Sequence, residues 1–422
     1  MASWISMDEA CRLLGVQPQT VYAYVSRGKL EVMPDPVDTR RSLYRAEDVA
    51  GLAKRKQAGR KHETLAANTL FGSEPSIPTA LCSFFRGRPH YRGQDAVNLA
   101  RTATLEDAAQ LLWDAEQPAD FSDAASSPTA RSGKPGRIAG FTVLASLSAG
   151  GHSTRGRLTR VLHHEAQGLV GQLATAFGAQ PGRQPLHLRF AKGWKQPPEV
   201  AELLRTAMVL LADHELTSSA FVARIAASTG ASLPACLLAG LTTLSGPLHG
   251  DASGRVQSLF SEVERLGDDK VVAHYLSTGL PLAGFGHHLY PDGDPRAAAL
   301  LALFEPPDVI VRFIEKVTAL TGLQPNIDVA LAALVAHYRM PADAAFGLFA
   351  TARSVGLLAH SLEQLGVPQV IRPRGRYVGP MPEAEAARAV AIAPRSSSRR
   401  TDGPPPGQSA ARAPDRKRAS AE

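Results

Sequence analysis

Between residues 137 and about 366 the chain is built largely of alanine and leucine at helical spacing, with few strand signals. That pattern limits the body to a mainly α architecture, because amphipathic helices bury their apolar stripes against one another. A length of 422 residues allows two or three domains. With 44% apolar and 20% charged residues, the composition is that of a soluble globular protein. The longest apolar stretch, 231–248, is interrupted by Ser, Thr and Pro and reads as a buried core helix, not a membrane span. Acidic residues occur by position 8 with no apolar run before them, so no signal peptide is expected. Cys11, Cys82 and Cys236 are far apart and odd in number. They predict neither a disulfide framework nor a metal site, which suits a cytoplasmic location. A net charge of +7 favours anionic partners without choosing between nucleic acid and small acids.

Residues 1–61 read as a separate module. Ser6 and Glu9 have capping-box spacing and open a helix through Ala10, Leu13 and Leu14. Gly15 breaks it. A second helix restarts over Val16–Thr20, with Val21, Tyr24 and Val25 on one face, and Gly28 ends it. A β-prone stretch with Pro34, Pro36, Asp38 and Tyr44 follows, then a helix from Ala46 to about Lys56. The spacing is that of a helix-turn-helix. The strings I-S-M-D-E-A-C-R-L-L-G-V-Q-P-Q-T-V-Y-A-Y-V-S-R-G-K-L and S-L-Y-R-A-E-D-V resemble the winged helix-turn-helix of MerR and excisionase-type DNA-binding proteins. On that resemblance the helix from about Gln17 to Arg27 would enter the major groove, with Gln19, Thr20, Tyr22 and Arg27 as candidate contacts. Arg40 and Arg41, near the wing, would meet phosphate. The module holds eleven Lys or Arg against seven acids, a balance that suits a solvated surface as well as a phosphate track. An interaction domain is the competing reading.

Residues 54–62 form a charged junction, and 119–136, rich in Ser, Ala, Pro and Gly, are expected to loop out. Residues 62–382 form the body. Residues 383–422 run into Ala, Arg, Ser and Pro, cannot bury a core, and are expected to be a disordered tail.

Histidine, aspartate and arginine gather in four short segments of the body: A-D-H-E (212–215), G-P-L-H-G (246–250), G-F-G-H-H (284–288) with D-P-R (294–296), and P-N-I-D (325–328). Two imidazoles and a carboxylate can make and capture a carbon nucleophile, and nearby guanidiniums can hold an anionic acceptor. F-A-T-A-R-S-V-G-L-L-A-H (349–360) and R-P-R-G-R-Y-V-G (372–379) follow. Y-R-G (91–93), L-E-D-A-A-Q-L-L-W (105–113) and P-L-H-L-R-F-A-K-G-W (185–194) precede them. In this order the motifs resemble the citrate synthase family over roughly 80–380, with 119–180 poorly matched.

The resemblance implies a helical large domain and a small domain at roughly 255–345. It implies a homodimer, no bound cofactor and no metal, with acetyl-CoA or propionyl-CoA as co-substrate and oxaloacetate as acceptor. Asp328 would be the base, His249 the donor at the thioester oxygen, and His287 the donor at the acceptor carbonyl, with neighbouring His288 able to replace it. His214, Arg296 and Arg353 would hold the carboxylates, and Arg372 would complete the site from the second subunit. The plainer readings take Gly246-Pro247 as marking a turn alone and Asp328 as an ordinary helix cap.

Three departures stand out. Gly250-Asp251-Ala252-Ser253 replaces the common G-G-A-N, and Asp251 is expected to add negative charge beside His249. Pro291 stands where a coenzyme-binding cation is common, and Thr217 replaces a common Asn. They keep a second class in play, a DNA-binding regulator whose synthase-derived body senses a metabolite. The presence of His249, His287 and Asp328 favours the enzyme.

Overall fold

The computed structural model describes residues 3–16, 18–26, 29–36, 38, 41–53, 77–122, 135–372 and 379. By its internal contacts the chain divides into a unit of residues 1–370 and a second of 371–422. No helix among the described residues is long and apolar enough to cross a membrane.

The first elements are β1 (Trp4–Ser6), α1 (Met7–Leu14), α2 (Pro18–Ser26), β2 (Val32–Pro34), β3 (Ser42–Arg45) and a helix α3 over 46–53. Ser6 caps α1 by accepting from the Glu9 N–H, and Gly15 closes it in the left-handed conformation. The strands form an antiparallel sheet in the order β1-β3-β2, with Trp4 opposite Arg45 and Val32 opposite Tyr44. Ala10, Leu14, Val21, Leu30, Tyr44 and Val49 make a small core of their own.

A second antiparallel sheet, β4 (Cys82–Phe85), β5 (Arg88–Tyr91) and β6 (Gln94–Asp95), turns at Arg86-Gly87, both with positive φ. Helices α4 (Ala96–Leu99) and α5 (Leu105–Trp113) follow, the latter opened by a complete Thr104–Asp107 capping box. The body continues through α6 (Arg137–Ala149), α7 (Thr159–Ala176), α8 (Leu186–Gly193), α9 (Val200–Leu211), α10 (Ser218–Ser228) and α11 (Leu233–Leu244). It ends with α12 (Ala252–Leu266), α13 (Asp268–Thr278), α14 (Pro295–Leu301), α15 (Asp308–Thr321), α16 (Ile327–His337) and α17 (Ala344–Leu365). No strand occurs among the described residues from 137 to 366, as the alanine- and leucine-rich pattern requires.

The body has two apolar cores. The larger gathers around α17, whose face from Ala344 to Gln364 is almost wholly buried. The smaller is built by Val256, Leu259 and Phe260 of α12, Val271 and Val272 of α13, and Ile310, Phe313 and Val317 of α15. Helix α16 serves both. Ile327, Ala330, Leu331 and Leu334 face the larger core, and Val329, Ala332 and Ala333 the smaller. A helix apolar on every side has to be enclosed, and α16 is.

Two close approaches set the loop after α9. The Tyr91 hydroxyl lies 3.0 Å from Val209 O and 3.1 Å from Asp213 O, joining β5 to that loop. On α17, Gly356 donates to Ala212 O, and a Cβ there would sit 2.4 Å from both Ala212 O and Asp213 Oδ1. Gly356→Ala should therefore destabilise the body by about 1–3 kcal/mol or more and lower its melting temperature. An unchanged melting curve would show that the helix and loop can separate.

Candidate active site

Six of the side chains singled out in the sequence line one cavity of about 770 Å³: His214, His249, His287, Arg296, Asp328 and Arg353. They come from six places. His214 lies in the loop after α9, and His249 in the turn 245–251 between α11 and α12. His287 belongs to the loop before α14, Arg296 and Asp328 to the first turns of α14 and α16, and Arg353 to the middle of α17.

The turn carrying His249 is set by its backbone. The His249 N–H donates to Gly246 O at 2.9 Å and the Gly250 N–H to Leu244 O at 2.8 Å. A Cβ on Gly250 would stand 2.6 Å from the Leu244 side chain and 2.8 Å from its carbonyl oxygen, so the position needs glycine. The imidazole Nε2 of His249 is 2.8 Å from Ser219 Oγ at the start of α10. That leaves Nδ1 for the cavity. Burial, with Arg353 adding to it, lowers the pKa of His249 to about 4, so the ring is neutral at physiological pH.

The loop with His287 is tied to the segment before α16. Gly286 N–H donates to Gln324 O and Asn326 N–H to Gly284 O, each at 2.8 Å, and Asn326 Nδ2 donates to Gly286 O at 3.2 Å. His287 Nδ1 accepts from the Leu289 N–H at 3.2 Å. In a neutral ring the proton then resides on Nε2, which makes that nitrogen a donor. Burial and the Arg296 charge, opposed by Asp294, lower its pKa to about 4. His288 is exposed and stacks on His287 with ring centroids 4.9 Å apart. His214 is buried, with Nε2 2.8 Å from the Tyr290 hydroxyl and the Phe84 ring set edge-on to it. Burial and the charges of Arg296 and Arg353 hold it well below the ordinary histidine range.

Arg296 is 2% exposed and bound by Asp294 through Nε at 3.0 Å and Nη2 at 2.8 Å. Asp294 also caps α14 at the Arg296 N–H and accepts from the Ile327 N–H of α16 at 3.0 Å. Burial works against the charge of Asp294, and Arg296 overrides it, holding the carboxyl below its usual range. Arg353 is 1% exposed, donates from Nε to Leu211 O at 2.9 Å, and lies over the Phe349 ring. Burial lowers its pKa.

Asp328 is buried at the start of α16. Its N–H is bound by the Asn326 side chain, and its Oδ1 has no hydrogen-bond partner among the described residues. Burial raises its pKa to about 7, with Arg296 and Arg353 opposing and Asp294 assisting the rise. Among the described residues no group of three His, Cys, Asp or Glu could hold a metal ion.

Sequence reading missed the residues that hold this site. Asp294, Tyr290, Ser219, Asn326 and Phe84 are its supports. Asp294 and Asn326 had local signals, an Asp before Pro and an Asn capping position at helix starts. The charge expected of Asp251 beside His249 is corrected: the Arg137 guanidinium binds that carboxylate at 2.6 and 3.0 Å. Burial and Arg353, not Asp251, account for the low pKa of His249.

Arg372 belongs to the second unit and is exposed. Of the DNA-contact candidates, Thr20 is half-buried, Tyr22 is 59% exposed, and Arg41 is exposed and 3.4 Å from Asp38. The Gln19 side chain, Arg27 and Arg40 lie outside the described residues.

The body is mainly helical, and histidine, arginine and aspartate side chains from separate elements meet on one cavity. Residues 158–374 match the family model for the citrate synthase C-terminal domain, and the chain belongs to that family. It is 36% identical to a citrate synthase of Haloferax volcanii over 198 residues, 44% of this chain and 52% of that protein. It is 27% identical to a 2-methylcitrate synthase of Shewanella oneidensis over 336 residues, 69% of this chain and 89% of that protein. The crystal structure of citrate synthase from Thermotoga maritima superposes with a TM-score of 0.61 at 25% identity, covering 74% of this chain and 95% of that one. The chain spans about half the length of the curated citrate synthases it matches at higher identity.

Asp294→Ala would leave the Arg296 guanidinium buried and uncompensated. It should cost about 3–5 kcal/mol, read as a lower midpoint in denaturant. A midpoint within error of the unmodified chain would mean that water reaches Arg296.

Proposed function

We propose that the chain catalyses the Claisen condensation of acetyl-CoA with oxaloacetate and water, giving citrate and CoA. The observation that carries this is the convergence of Asp328, poised near neutrality, with two neutral imidazoles and two buried guanidiniums on one cavity. Asp328 takes a proton from the thioester methyl while His249 Nδ1–H donates to the thioester oxygen, where charge develops. The enolate carbon attacks the ketone of oxaloacetate, and His287 Nε2–H donates to that carbonyl and protonates the new alkoxide. Water then cleaves the thioester. Arg296 and Arg353, with His214, hold the acceptor's carboxylates in the planar geometry that guanidinium suits, and Arg372 completes the site from the second subunit of a homodimer.

Propionyl-CoA, giving 2-methylcitrate, is the second reading, favoured by the extent of the match to the Shewanella protein. One methylene is worth only about 1–3 kcal/mol in a pocket, so turnover has to decide between them.

In this reading residues 1–61 are a winged helix-turn-helix, 62–382 the synthase body with its small domain at roughly 255–345, and 383–422 a tail, in a cytoplasmic protein. The helix-turn-helix reading is supported by two successive helices ahead of an antiparallel β2–β3 pair. DNA binding through Gln19, Thr20, Tyr22, Arg27, Arg40 and Arg41 should weaken steeply with salt. Selection from genomic fragments at low salt should enrich a sequence whose affinity Arg27→Ala lowers. No enrichment, with binding unchanged in the variant, would make the module an interaction domain.

Thiol release with oxaloacetate and either acyl-CoA tests the condensation and names the substrate. A base must be ionised, so kcat/KM should fall as pH drops through about 7 and level off above it. The histidines stay neutral over that range. Asp328→Asn should lose about 10²–10⁴-fold in kcat. A flat profile between pH 6 and 8, or full turnover by the asparagine variant, would move the base elsewhere.

A further inference from the structure

The turn carrying His249 joins α11, whose apolar residues lie in the larger core, to α12, whose apolar residues lie in the smaller. Asp251 ends that turn, immediately before α12. The Arg137 guanidinium grips its carboxylate at both ends, Nη2 to Oδ1 at 2.6 Å and Nη1 to Oδ2 at 3.0 Å. This is the paired geometry that makes Arg–carboxylate contacts strong and directional.

Arg137 is itself held at the start of α17 through its backbone and its side chain. It opens α6, and its backbone N–H donates to Asp343 Oδ2 at 3.2 Å, just ahead of α17. Its guanidinium lies 4.0 Å over the Phe346 ring in the first turn of α17. The pair is largely shielded, with 34% of the Arg137 side chain and 24% of that of Asp251 exposed. One guanidinium thus joins the starts of α6, α12 and α17. Neither partner lines the cavity. The backbone bonds within the turn, such as those of His249 and Gly250, run between neighbours, and its side-chain bonds lead to Ser219 of α10 and Arg255 of α12, so none of these anchors it to α6 or α17.

We propose that Arg137 and Asp251 are positioning residues for His249: their ion pair locks the turn against α6 and α17 and so aims the imidazole Nδ1 into the cavity. The inference rests on His249 acting at the thioester oxygen. Breaking the pair should then slow the proton abstraction that His249 assists. The acceptor side, built by His214, Arg296 and Arg353 on other segments, should be spared.

The test compares the unmodified full chain with Asp251→Asn, Arg137→Asp, Asp251→Arg and the double exchange Arg137→Asp/Asp251→Arg. Asp251→Asn should lower kcat about ten-fold, as a small misplacement of a catalytic group does, with the KM for oxaloacetate within about two-fold. The two reversals should lose more, and the double exchange should recover most of what either lost. The ring nitrogens of His249 are followed in parallel by NMR on 15N-histidine protein, assigned by their loss in His249→Gln, and should shift in Asp251→Asn. Equal kcat in Asp251→Asn and the unmodified chain, or lower melting temperatures with unmoved His249 signals, would reduce the pair to a structural bridge. No thiol release by the unmodified chain would sink the condensation itself, and the His249 signals would still decide the positioning role.

Discussion

A guanidinium almost wholly removed from water must have its charge answered on the spot. At Arg296 the answer is Asp294, and most of the site depends on that one contact. Asp294 takes two guanidinium nitrogens, caps α14, and accepts from the first N–H of α16. Two helices of the body are thereby fixed to one carboxylate. Arg296, at the start of the first helix, and Asp328, at the start of the second, cannot move independently. Their opposing charges also explain the ionisation of Asp328. Burial alone would favour the neutral acid more strongly, Arg296 and Arg353 pull back, and Asp294 partly cancels them. The balance leaves the Asp328 carboxyl with a pKa of about 7.

The loop carrying His214 rests on a second buried set. His360 Nε2 on α17 lies 3.3 Å from Asp213 Oδ1, beside His214, and its Nδ1 lies 3.3 Å from Arg224 Nη1 on α10. Arg224 also binds Gln364 and Glu363, and Glu363 accepts from Thr79 Oγ1 and the Ala80 N–H. Together with Tyr91, these contacts hold the loop carrying His214 against α17, while Gly356 lets the two backbones meet. Two of the imidazoles are oriented by a group from another segment, His249 by Ser219 and His214 by Tyr290, and His287 by the backbone of its own loop. Such placement before substrate arrives is what electrostatic catalysis requires.

Much of this was legible in the sequence because its signals are local. Capping at Ser6, the stop at Gly15, the β-prone stretch around Tyr44 and the helical body all follow from residues a few positions apart. The six cavity residues were legible for another reason: each sits in a short motif whose order along the chain is itself a pattern. Several of the supports escaped because they act at long range. Asp251 looks like an added charge until Arg137, 114 residues upstream, is seen to bind it. Ser219 is 30 residues from His249 and Tyr290 is 76 from His214. The apolar stretch 231–248 also misled in part. Its helix ends at Leu244, and Gly246 and Pro247 begin the turn that presents His249.

In the proposed mechanism the cavity has two separable parts, guanidiniums that hold a dicarboxylate and a base that does not contribute to holding it. Calorimetric titration of oxaloacetate separates them without any turnover. The unmodified chain and Asp328→Asn should bind with the same dissociation constant, and Arg353→Leu should bind roughly ten- to hundred-fold more weakly. Loss of binding in Asp328→Asn, or undiminished binding in Arg353→Leu, would contradict it.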